Sequence, residues 1–318
     1  MRHLKLLMHV VEVAQTGSIR RAAERVNLTP SAMNRRIQDL ETEVGTPLFE
    51  RRPRGVKLTT AGQMFVQYAH SQIADAKRLE SRVADLRGLR RAPVRIACGQ
   101  VLAHDFLASH IATFQNQHPK VVFDLKVVDH DRALAALAIH DVDLALIYSP
   151  ATSSSLLIIA SLPQRLVAIV RSDHPLAAKE TVRLSECAAY PVALPDETLG
   201  SRQILDEAAT TQDLNFNVLA ESNSFEMLRS LVLRCNMISF QIEIDAPSND
   251  FGMGLVGRPI DTRGLPAADL ALCQLRGCSL PVAAATFAET LTKGMDNFRP
   301  GIHSSFDNRV VANGRPPR

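Results

Sequence analysis

The stretch TPSAMNRRIQ at residues 29–38 carries hydroxyl, amide and guanidinium side chains at intervals of three to four residues. If the stretch is helical, these polar groups fall on one face. The groups on that face are Ser31, Asn34, Arg35 and Gln38. Such side chains form hydrogen bonds with base edges and phosphates, and an α-helix fits the major groove of DNA. Any solvated helix also has a polar face, so this stretch alone leaves both interpretations open.

Cationic side chains cluster on both sides of this stretch. Those before it are Arg20, Arg21 and Arg25, and those after it are Arg51, Arg52, Arg54 and Lys57. Residues 1–91 contain 17 Lys and Arg against 9 Asp and Glu, a net charge of +8, whereas residues 92–318 carry a net charge of −5. This asymmetry indicates a polyanionic partner for the N-terminal part alone.

Three predicted helices position the polar face. An apolar rhythm over residues 4–13 predicts the first helix, and Ser18 caps a second one. The third begins at Thr29, with Pro30 at the position where its missing N–H is not needed, and Gly45 supplies the left-handed residue that ends it. Two short helices joined by a tight turn, the second with a polar outer face, are typical of a helix-turn-helix. The apolar stripe expected to pack on the first two helices consists of Met33, Ile37, Leu40 and Val44.

The segment that follows predicts a basic hairpin and a long helix. Alternating residues within 46–59 indicate two short strands, with Phe49 as an anchor. Thr59 then caps a helix from about residue 60 to 88, and its apolar stripe needs a partner helix. A second copy of the chain is the obvious partner.

Beyond residue 92, strands and helices alternate, which predicts a parallel sheet with helices on its faces. The predicted strands are 94–97, 121–128, 143–148, 165–170, 216–221, 237–242 and 269–275. The predicted helices are 103–117, 131–139, 201–210, 224–234 and 281–294. The last residues are rich in Gly, Pro, Ser and Asn, and we expect a mobile tail at 299–318.

Other classes of protein find little support in the sequence. There is no H-E-x-x-H, G-x-S-x-G or G-x-G-x-x-G motif, so an enzyme is not predicted. The five cysteines form no C-x-x-C pair and lie far from the histidines, so no metal or cofactor is predicted. No apolar run is long enough to span a membrane, and the first residues lack a signal-peptide cleavage site. We therefore expect a cytoplasmic protein without membrane contact.

The segment from Ser18 to Gly62 resembles the winged helix-turn-helix of LysR-type transcriptional regulators. The signature of that family runs G-S-hydrophobic-x-x-A-A, L-x-x-S-x-x-x-x-x-I-x-x-L-E, G-x-x-L-F-x-R and L-T-x-A-G. The resemblance is highly specific over residues 1–65 and looser to about residue 295. The matching residues are Gly17, Ser18, Ala22, Ala23, Leu28, Ser31, Ile37, Leu40, Glu41, Gly45, Leu48, Phe49, Arg51, Leu58, Thr59, Ala61 and Gly62.

The resemblance implies an N-terminal all-α winged helix-turn-helix with a long linker helix, followed by an α/β sensor of two subdomains like a type II periplasmic binding protein. The implied function is sequence-specific regulation of transcription under the control of a small effector. The implied boundaries are a DNA-binding domain at 1–59, a linker helix and hinge at 60–91, a first subdomain at 92–161 with 266–298, a second subdomain at 162–265, and the tail.

The resemblance also implies partners and DNA contacts. The implied partners are double-stranded DNA with a dyad-symmetric site, a second copy of the chain bound through the linker helix, often within a tetramer, and RNA polymerase as a further candidate. Asn34 stands where members commonly have Ser, and asparagine can pair bidentately with adenine. The DNA-binding residues implied by matching the motifs are Ser18, Arg20, Thr29, Pro30, Ser31, Asn34, Arg35, Gln38, Arg51, Arg52 and Arg54.

The implied effector is a small organic molecule in the cleft between the two subdomains. Helix N-termini in such a cleft favour an anionic ligand, commonly a carboxylate. Members often have Ser or Thr where Gln100 and Val101 stand, so this pocket is less suited to carboxylate capture. For the stretch from Thr198 to Arg202, an ordinary helix cap is an equally good interpretation. The expected effector-binding residues are Cys98, Gly99, Gln100, Val101, Ser149, Thr198, Gly200, Ser201, Arg202, Asn223 and Ser224.

Two further interpretations remain open at this stage. A redox switch between Cys187 and Cys235 has a spacing unlike that of the peroxide-sensing branch of the family. A free-standing solute receptor matches residues 92–318, but it would lack residues 1–89. Specific binding to a palindromic duplex discriminates a regulator from a receptor and from an enzyme.

Overall fold

The computed structural model describes residues 2–53, 55–86, 93–103, 105–148, 150, 155–247, 254–261, 263 and 268–298. The predicted tail at 299–318 lies outside these ranges, as do residues 87–92, which include the end of the predicted linker and hinge at 60–91. Two of the expected site residues, Arg54 and Ser149, also lie outside them. Within the described part of the chain, no helix is both long and apolar enough to cross a membrane.

The N-terminal part has the predicted three helices, hairpin and long helix. Its elements are α1 (Arg2–Thr16), α2 (Ile19–Arg25), α3 (Pro30–Val44), β1 (Phe49–Arg52), β2 (Gly55–Leu58) and α4 (Thr60–Leu86). β1 and β2 pair antiparallel. Met33, Ile37 and Leu40 of α3 are buried against α1 and α2, as predicted. Val44 is 40% exposed because it is the last residue of α3, at the rim of this core, so its predicted burial is wrong.

The predicted helix ends are confirmed by their hydrogen bonds. The Ser18 hydroxyl accepts from the backbone N–H of Arg21 over 3.4 Å at the start of α2. The Thr29 hydroxyl accepts from the N–H of Ala32 over 3.2 Å at the start of α3. Gly45 ends α3 with a φ of +78°, the left-handed conformation that glycine adopts at little cost.

The remaining elements alternate as predicted but include strands that the sequence pattern missed. The helices beyond residue 92 are α5 (Phe106–Gln117), α6 (His130–Ala138), α7 (Leu184–Cys187), α8 (Gly200–Thr211), α9 (Phe225–Cys235) and α10 (Val282–Asn297). The strands are β3 (Val94–Cys98), β4 (Phe123–Val127), β5 (Leu144–Tyr148), β6 (Leu156–Gln164), β7 (Leu166–Arg171), β8 (Pro191–Pro195), β9 (Asn217–Ser222), β10 (Ser239–Ile242), β11 (Leu255–Pro259) and β12 (Ala268–Leu275).

The strands form two groups. The first is a five-stranded sheet in the order β4-β3-β5-β12-β6, in which β3 is parallel to β4 and β5, and β12 is antiparallel to β5 and β6. The second group contains the antiparallel sheet β10-β7-β11 and the parallel pair β8-β9. Among the strands that the sequence predicted, the expected parallel pairing is therefore correct for β3, β4, β5 and β9, and wrong for β7, β10 and β12.

Proline and glycine explain the missed strands. β6 contains Pro163, β8 begins and ends at Pro191 and Pro195, and β11 contains Gly257 and ends at Pro259. These residues have low strand propensity and indicate loops when the sequence is considered alone. Each strand is instead supported by its neighbours in the sheet, which is information that the local sequence does not contain.

Candidate DNA-binding surface and effector cleft

One side of α3 faces solvent because its opposite side is buried in the core. We call this side the outer face of α3. Thr29 and Pro30 lie at its N-terminal end and are also exposed, and the hydroxyls of Thr29 and Ser31 are 3.2 Å apart. The structure thus brings the predicted residues of α3 onto one surface. The residues of the outer face are Ser31, Arg35 and Gln38, which are exposed, and Asn34, which is half-buried.

The hairpin is fixed beside α3 by Glu41. One oxygen of this side chain, Oε1, accepts from the backbone N–H groups of Leu48 and Phe49 over 2.7 and 3.0 Å. Phe49 is buried in the helical core, which confirms it as the predicted anchor. Sequence reasoning did not identify this role of Glu41, although its position within the L-E motif was visible.

The arginines of the hairpin have different partners. Arg51 donates from Nη2 to Oδ1 of Asn34 over 2.6 Å, which links the hairpin to the outer face of α3. Arg52 donates to Glu50 over 3.2 Å. Arg20, on α2, is exposed and pairs with Glu24 over 3.1 Å, and Ser18 is occupied as the cap of α2.

Arg36 is a cation of α3 that sequence reasoning did not single out. Its Nη1 lies 3.2 Å from Nδ1 of His9, a buried histidine of α1. Burial lowers the pKa of His9, and the positive charges of Arg36 and Lys5 lower it further. His9 is therefore held neutral beneath α3.

A cavity of about 50 Å³ lies where the C-terminal ends of β3 and β5 meet the N-termini of α8 and α9. This volume holds roughly a few water molecules or part of a small ligand. Sequence reasoning did not select several other lining residues, including Asp129, His130 and Phe225. The predicted residues that line the cavity are Gly99, Gln100, Val101, Thr198, Gly200 and Ser201.

The other predicted effector residues that the structure describes occupy structural positions away from the cavity lining. Cys98 is buried in the core at the end of β3. The Ser224 hydroxyl caps α9 by accepting from the N–H of Met227 over 3.3 Å, and Asn223 precedes it. Arg202 is held by three acceptors, which are the carbonyl of Pro195 and the carboxylates of Asp206 and Glu221.

The N-terminus of α8 offers hydrogen-bond donors to the cavity. Its N-cap residue, Leu199, has no side chain that caps the helix. The hydroxyl of Ser201, which is 4% exposed, has no hydrogen-bond partner within the described ranges. A buried hydroxyl without a partner is costly unless a ligand or water satisfies it. The N-terminus of α8 therefore favours an acceptor group, such as a carboxylate oxygen.

Two contacts join the two groups of strands across the cavity. Gln100, which follows β3, accepts through Oε1 from the N–H of Phe225 at the start of α9 over 2.7 Å. The ring of Tyr148, at the end of β5, packs against Gly200 so closely that a Cβ there would lie 2.9 Å from it. Burial raises the pKa of Tyr148, and Asp269 raises it further, so its hydroxyl stays protonated.

The cysteines do not favour a redox switch. Burial raises the pKa of Cys187 to about 12, and the charge of Glu186 adds to this effect. A thiol with so high a pKa is protonated at neutral pH and is a poor nucleophile. Cys235 is exposed at the end of α9, where Asn236 takes the left-handed conformation with a φ of +51°.

The two parts of the chain match two family profiles. One, described as the LysR substrate binding domain, matches residues 87–296, and the other, described as a bacterial regulatory helix-turn-helix protein of the lysR family, matches residues 4–63. The chain belongs to the LysR family. It is a LysR-type transcriptional regulator with a DNA-binding helix-turn-helix and an effector-binding domain, and not an enzyme, as the sequence predicts.

Similar proteins agree with this membership. The chain is 27% identical to the HTH-type transcriptional activator CmpR of Synechocystis sp. over 220 residues, which cover 69% of this chain and 72% of the relative. A full-length OxyR variant from Pseudomonas aeruginosa aligns with a TM-score of 0.66 at 18% identity, covering 92% of this chain and 94% of that one. Full-length CbnR in complex with its target DNA aligns with a TM-score of 0.61 at 18% identity, covering 92% and 99%. These structures share the fold of two sensor subdomains behind a helix-turn-helix.

Proposed function

We propose that this LysR-type regulator binds a dyad-symmetric DNA site as a homo-oligomer and responds to a small organic effector in the cavity beside α8. The outer face of α3, with a cationic hairpin fixed next to it, carries the proposal. The residues proposed to contact DNA are Ser18, Arg20, Thr29, Pro30, Ser31, Asn34, Arg35, Gln38, Arg51 and Arg52, with Arg54 added from the sequence motif.

Exposed apolar side chains on α4 support a dimer. Met64 is 69% exposed and Leu79 is 55% exposed, with Tyr68 and Val83 also exposed on the same helix. An apolar stripe on a helix of 27 residues is covered in a stable protein by another helix. The α4 helix of a second copy is the proposed cover, and two copies supply the two α3 helices that a dyad-symmetric site requires.

A second set of exposed apolar residues supports a tetramer. Val122, Leu125 and Val127 lie on or beside β4, which is an edge strand of the five-stranded sheet. Val218 and Leu219 lie on β9 of the other group of strands. Exposed apolar edges tend to pair with another chain. We assign both strips to contacts between sensor domains of different copies.

The proposed effector carries one hydrogen-bond acceptor group on an apolar body. The acceptor fits the N-terminus of α8 and the unpaired Ser201 hydroxyl. Within the described part of the chain, the cavity lining contains no Lys or Arg, and most of it is apolar. A single carboxylate held by backbone N–H groups agrees with this lining better than a polyanion does. The other proposed contacts are Gly99, Gln100, Val101, Thr198 and Gly200. Cys98, Arg202, Asn223 and Ser224, which the sequence also suggested, do not line the cavity and are left out of the proposed site. Ser149 stays an expectation from the sequence alone, since it lies outside the described residues.

The domain boundaries, the compartment and a further partner complete the proposed function. We propose the DNA-binding domain at 1–59, the linker at 60–91, the first subdomain at 92–161 with 266–298, and the second at 162–265. A regulator must share a compartment with its DNA, so we propose that it acts in the cytoplasm. RNA polymerase is the further partner that activation of transcription would require.

A gel-shift titration of the purified protein tests the DNA part of this proposal. A duplex with a palindromic site should be shifted in the gel at a lower protein concentration than a scrambled duplex of equal length. Affinity should fall steeply with salt, because several phosphate contacts release counterions. A shift of both duplexes at the same protein concentration would contradict sequence-specific binding.

Sedimentation analysis tests the oligomeric part. Leu79→Glu adds a charge within the apolar stripe of α4 and should shift the protein to smaller species. Gln63→Glu, at an exposed position of the same helix, is the matched control. Identical sedimentation of wild type and Leu79→Glu would exclude α4 as the dimer contact.

A further inference from the structure

Asn34 and Arg51 are joined across the space between α3 and the hairpin. The Nη2 group of Arg51 donates to Oδ1 of Asn34 over 2.6 Å. A guanidinium has donors and no acceptor, so the atom of Asn34 that meets it must be the amide oxygen. The amide NH2 group is then the part of Asn34 that is left for another partner.

A fixed framework supports this pair. Glu41 holds the start of β1 through the N–H groups of Leu48 and Phe49, and Phe49 is buried in the core. Arg51 lies two residues further along β1, and Asn34 lies two helical turns before Glu41 on α3. Both backbones are therefore held in position, and the two side chains meet across a fixed gap.

The charge of Arg51 is not neutralised by a carboxylate among the described residues. Its neighbour Arg52 pairs with Glu50 over 3.2 Å, whereas Arg51 bonds to the neutral amide of Asn34. Hydrogen bonds in which one group is charged are stronger than neutral ones. The amide oxygen is thus engaged by a cation at the surface that faces DNA in the proposed function.

This engagement changes which base suits Asn34. Asparagine reads adenine through two bonds, since its oxygen accepts from the N6 amino group while its NH2 group donates to N7. Arg51 occupies one of the two acceptor positions of that oxygen and brings positive charge to the place where adenine would bring amino hydrogens. Guanine instead offers two acceptors, N7 and O6. The paired side chains present donors and a positive charge, and this combination complements guanine better than adenine.

We infer, on the basis of the proposed function, that Asn34 and Arg51 act as one cationic, donor-rich reading unit that selects guanine over adenine at one position of each half-site. Arg51 is a positioning residue in this unit, because it determines which atoms of Asn34 face the base. The sequence alone favours a bidentate contact of Asn34 with adenine, and the pairing with Arg51 gives the opposite preference.

The test is selection of binding sites by the full-length protein from a duplex library with randomised half-sites. Wild type should select guanine at one position of each half-site, and Asn34→Ala should lose that preference. Arg51→Met keeps a long side chain but removes the donors, which frees the amide oxygen and should exchange guanine for adenine. The ratio of affinities for the guanine and adenine duplexes should change by about tenfold or more.

Arg52→Met is the matched control. Arg52 is the next residue on β1 and bonds to Glu50, so this variant removes the same charge without touching Asn34. It should weaken binding to the guanine and adenine duplexes equally. A second variant, Asn34→Asp, keeps an oxygen for Arg51 but removes the NH2 donor, and it should lose the preference for guanine.

The outcomes separate this inference from the proposed function. Two results would overturn the reading unit and leave the proposed function standing. One is a base preference of Arg51→Met that equals that of the wild type. The other is a wild-type preference for adenine at the position where Asn34→Ala loses its base preference. If Arg51→Met abolishes all DNA binding, the base preference of Asn34→Asp is the deciding measurement. A preference for guanine that is retained in Asn34→Asp overturns the reading unit, and loss of that preference supports it. Failure of the wild type to enrich any sequence overturns the proposed function itself.

Discussion

Glu41 connects the helix that faces DNA to the hairpin through a single oxygen. Replacing it by alanine leaves the N–H groups of Leu48 and Phe49 without their acceptor. Unpaired groups of this kind cost about 1 to 3 kcal/mol each when water cannot reach them. Glu41→Ala should therefore lower the free energy of unfolding by a few kcal/mol at most, and lower DNA affinity as the hairpin loosens. Denaturant unfolding measures the first effect, and Glu43→Ala, at an exposed site on α3, should show neither.

Replacing two serines of the sensor domain by alanine should have different effects on the stability of the protein. The Ser224 hydroxyl caps α9, so Ser224→Ala should lower stability by about 1 kcal/mol. The Ser201 hydroxyl is buried without a described partner, so Ser201→Ala removes an unsatisfied group and should leave stability unchanged or raise it. Equal losses in thermal unfolding of the two variants would show that Ser201 already has a partner of its own.

Single side chains were predictable where their role is local. Ser18, Thr29 and Gly45 could be identified because a helix cap depends on residues three or four positions away. The contact of Gln100 with Phe225 joins residues 125 positions apart, and nothing near either residue in the sequence encodes it. The pairing of Asn34 with Arg51 was missed for the same reason, since each residue alone suggests its own contact with DNA.

The packing of α4 on the hairpin depends on a glycine. A Cβ at Gly62 would lie 2.0 Å from the carbonyl oxygen of Leu48, a backbone atom that cannot move aside alone. Gly62→Ala should therefore displace α4 and destabilise the N-terminal domain by about 1 to 3 kcal/mol. Gln63→Ala, at the next and exposed position, should be nearly neutral. A melting temperature unaffected by Gly62→Ala would mean that α4 does not pack this closely.

The helices were more predictable than the strands. Amphipathic patterns of ten or more residues located α3, α4, α8 and α9 to within a few residues, because the pattern itself reports which face is buried. β6, β8 and β11 are interrupted or bounded by proline and are stabilised by pairing with distant strands. β12 is antiparallel to β5 and β6 because the chain comes back from the second group of strands and inserts β12 between them. A local sequence pattern does not contain this information.

The pH dependence of stability should be governed by two buried histidines between pH 7 and 5. Burial is the main cause that lowers the pKa of both His9 and His174. The unfolded chain binds protons at these residues before the folded protein does, so the free energy of unfolding should decrease as pH falls below about 6.5. Carboxylates with lowered pKa values, such as Glu186 at about 2, lose their contribution only at lower pH.

Chemical unfolding of the wild type and of the double variant His9→Asn with His174→Asn checks this dependence. Asparagine keeps an acceptor near the N–H of Leu176, which His174 serves through Nδ1. The double variant should show a flatter change in stability from pH 7 to 5 than the wild type. Parallel curves would assign the pH dependence to other groups.

Regulation of specific genes by this protein requires that the outer face of α3 read base sequence. The direct measurement is the ratio of affinities for a selected duplex and a scrambled duplex at one salt concentration, for wild type and for Arg35→Ala. The wild type should prefer the selected duplex by roughly a thousandfold or more. Arg35→Ala should reduce affinity for the selected duplex by about 1 to 3 kcal/mol and change affinity for the scrambled duplex much less. Equal affinities of the wild type for both duplexes, or equal losses on both in Arg35→Ala, would contradict base reading by this face.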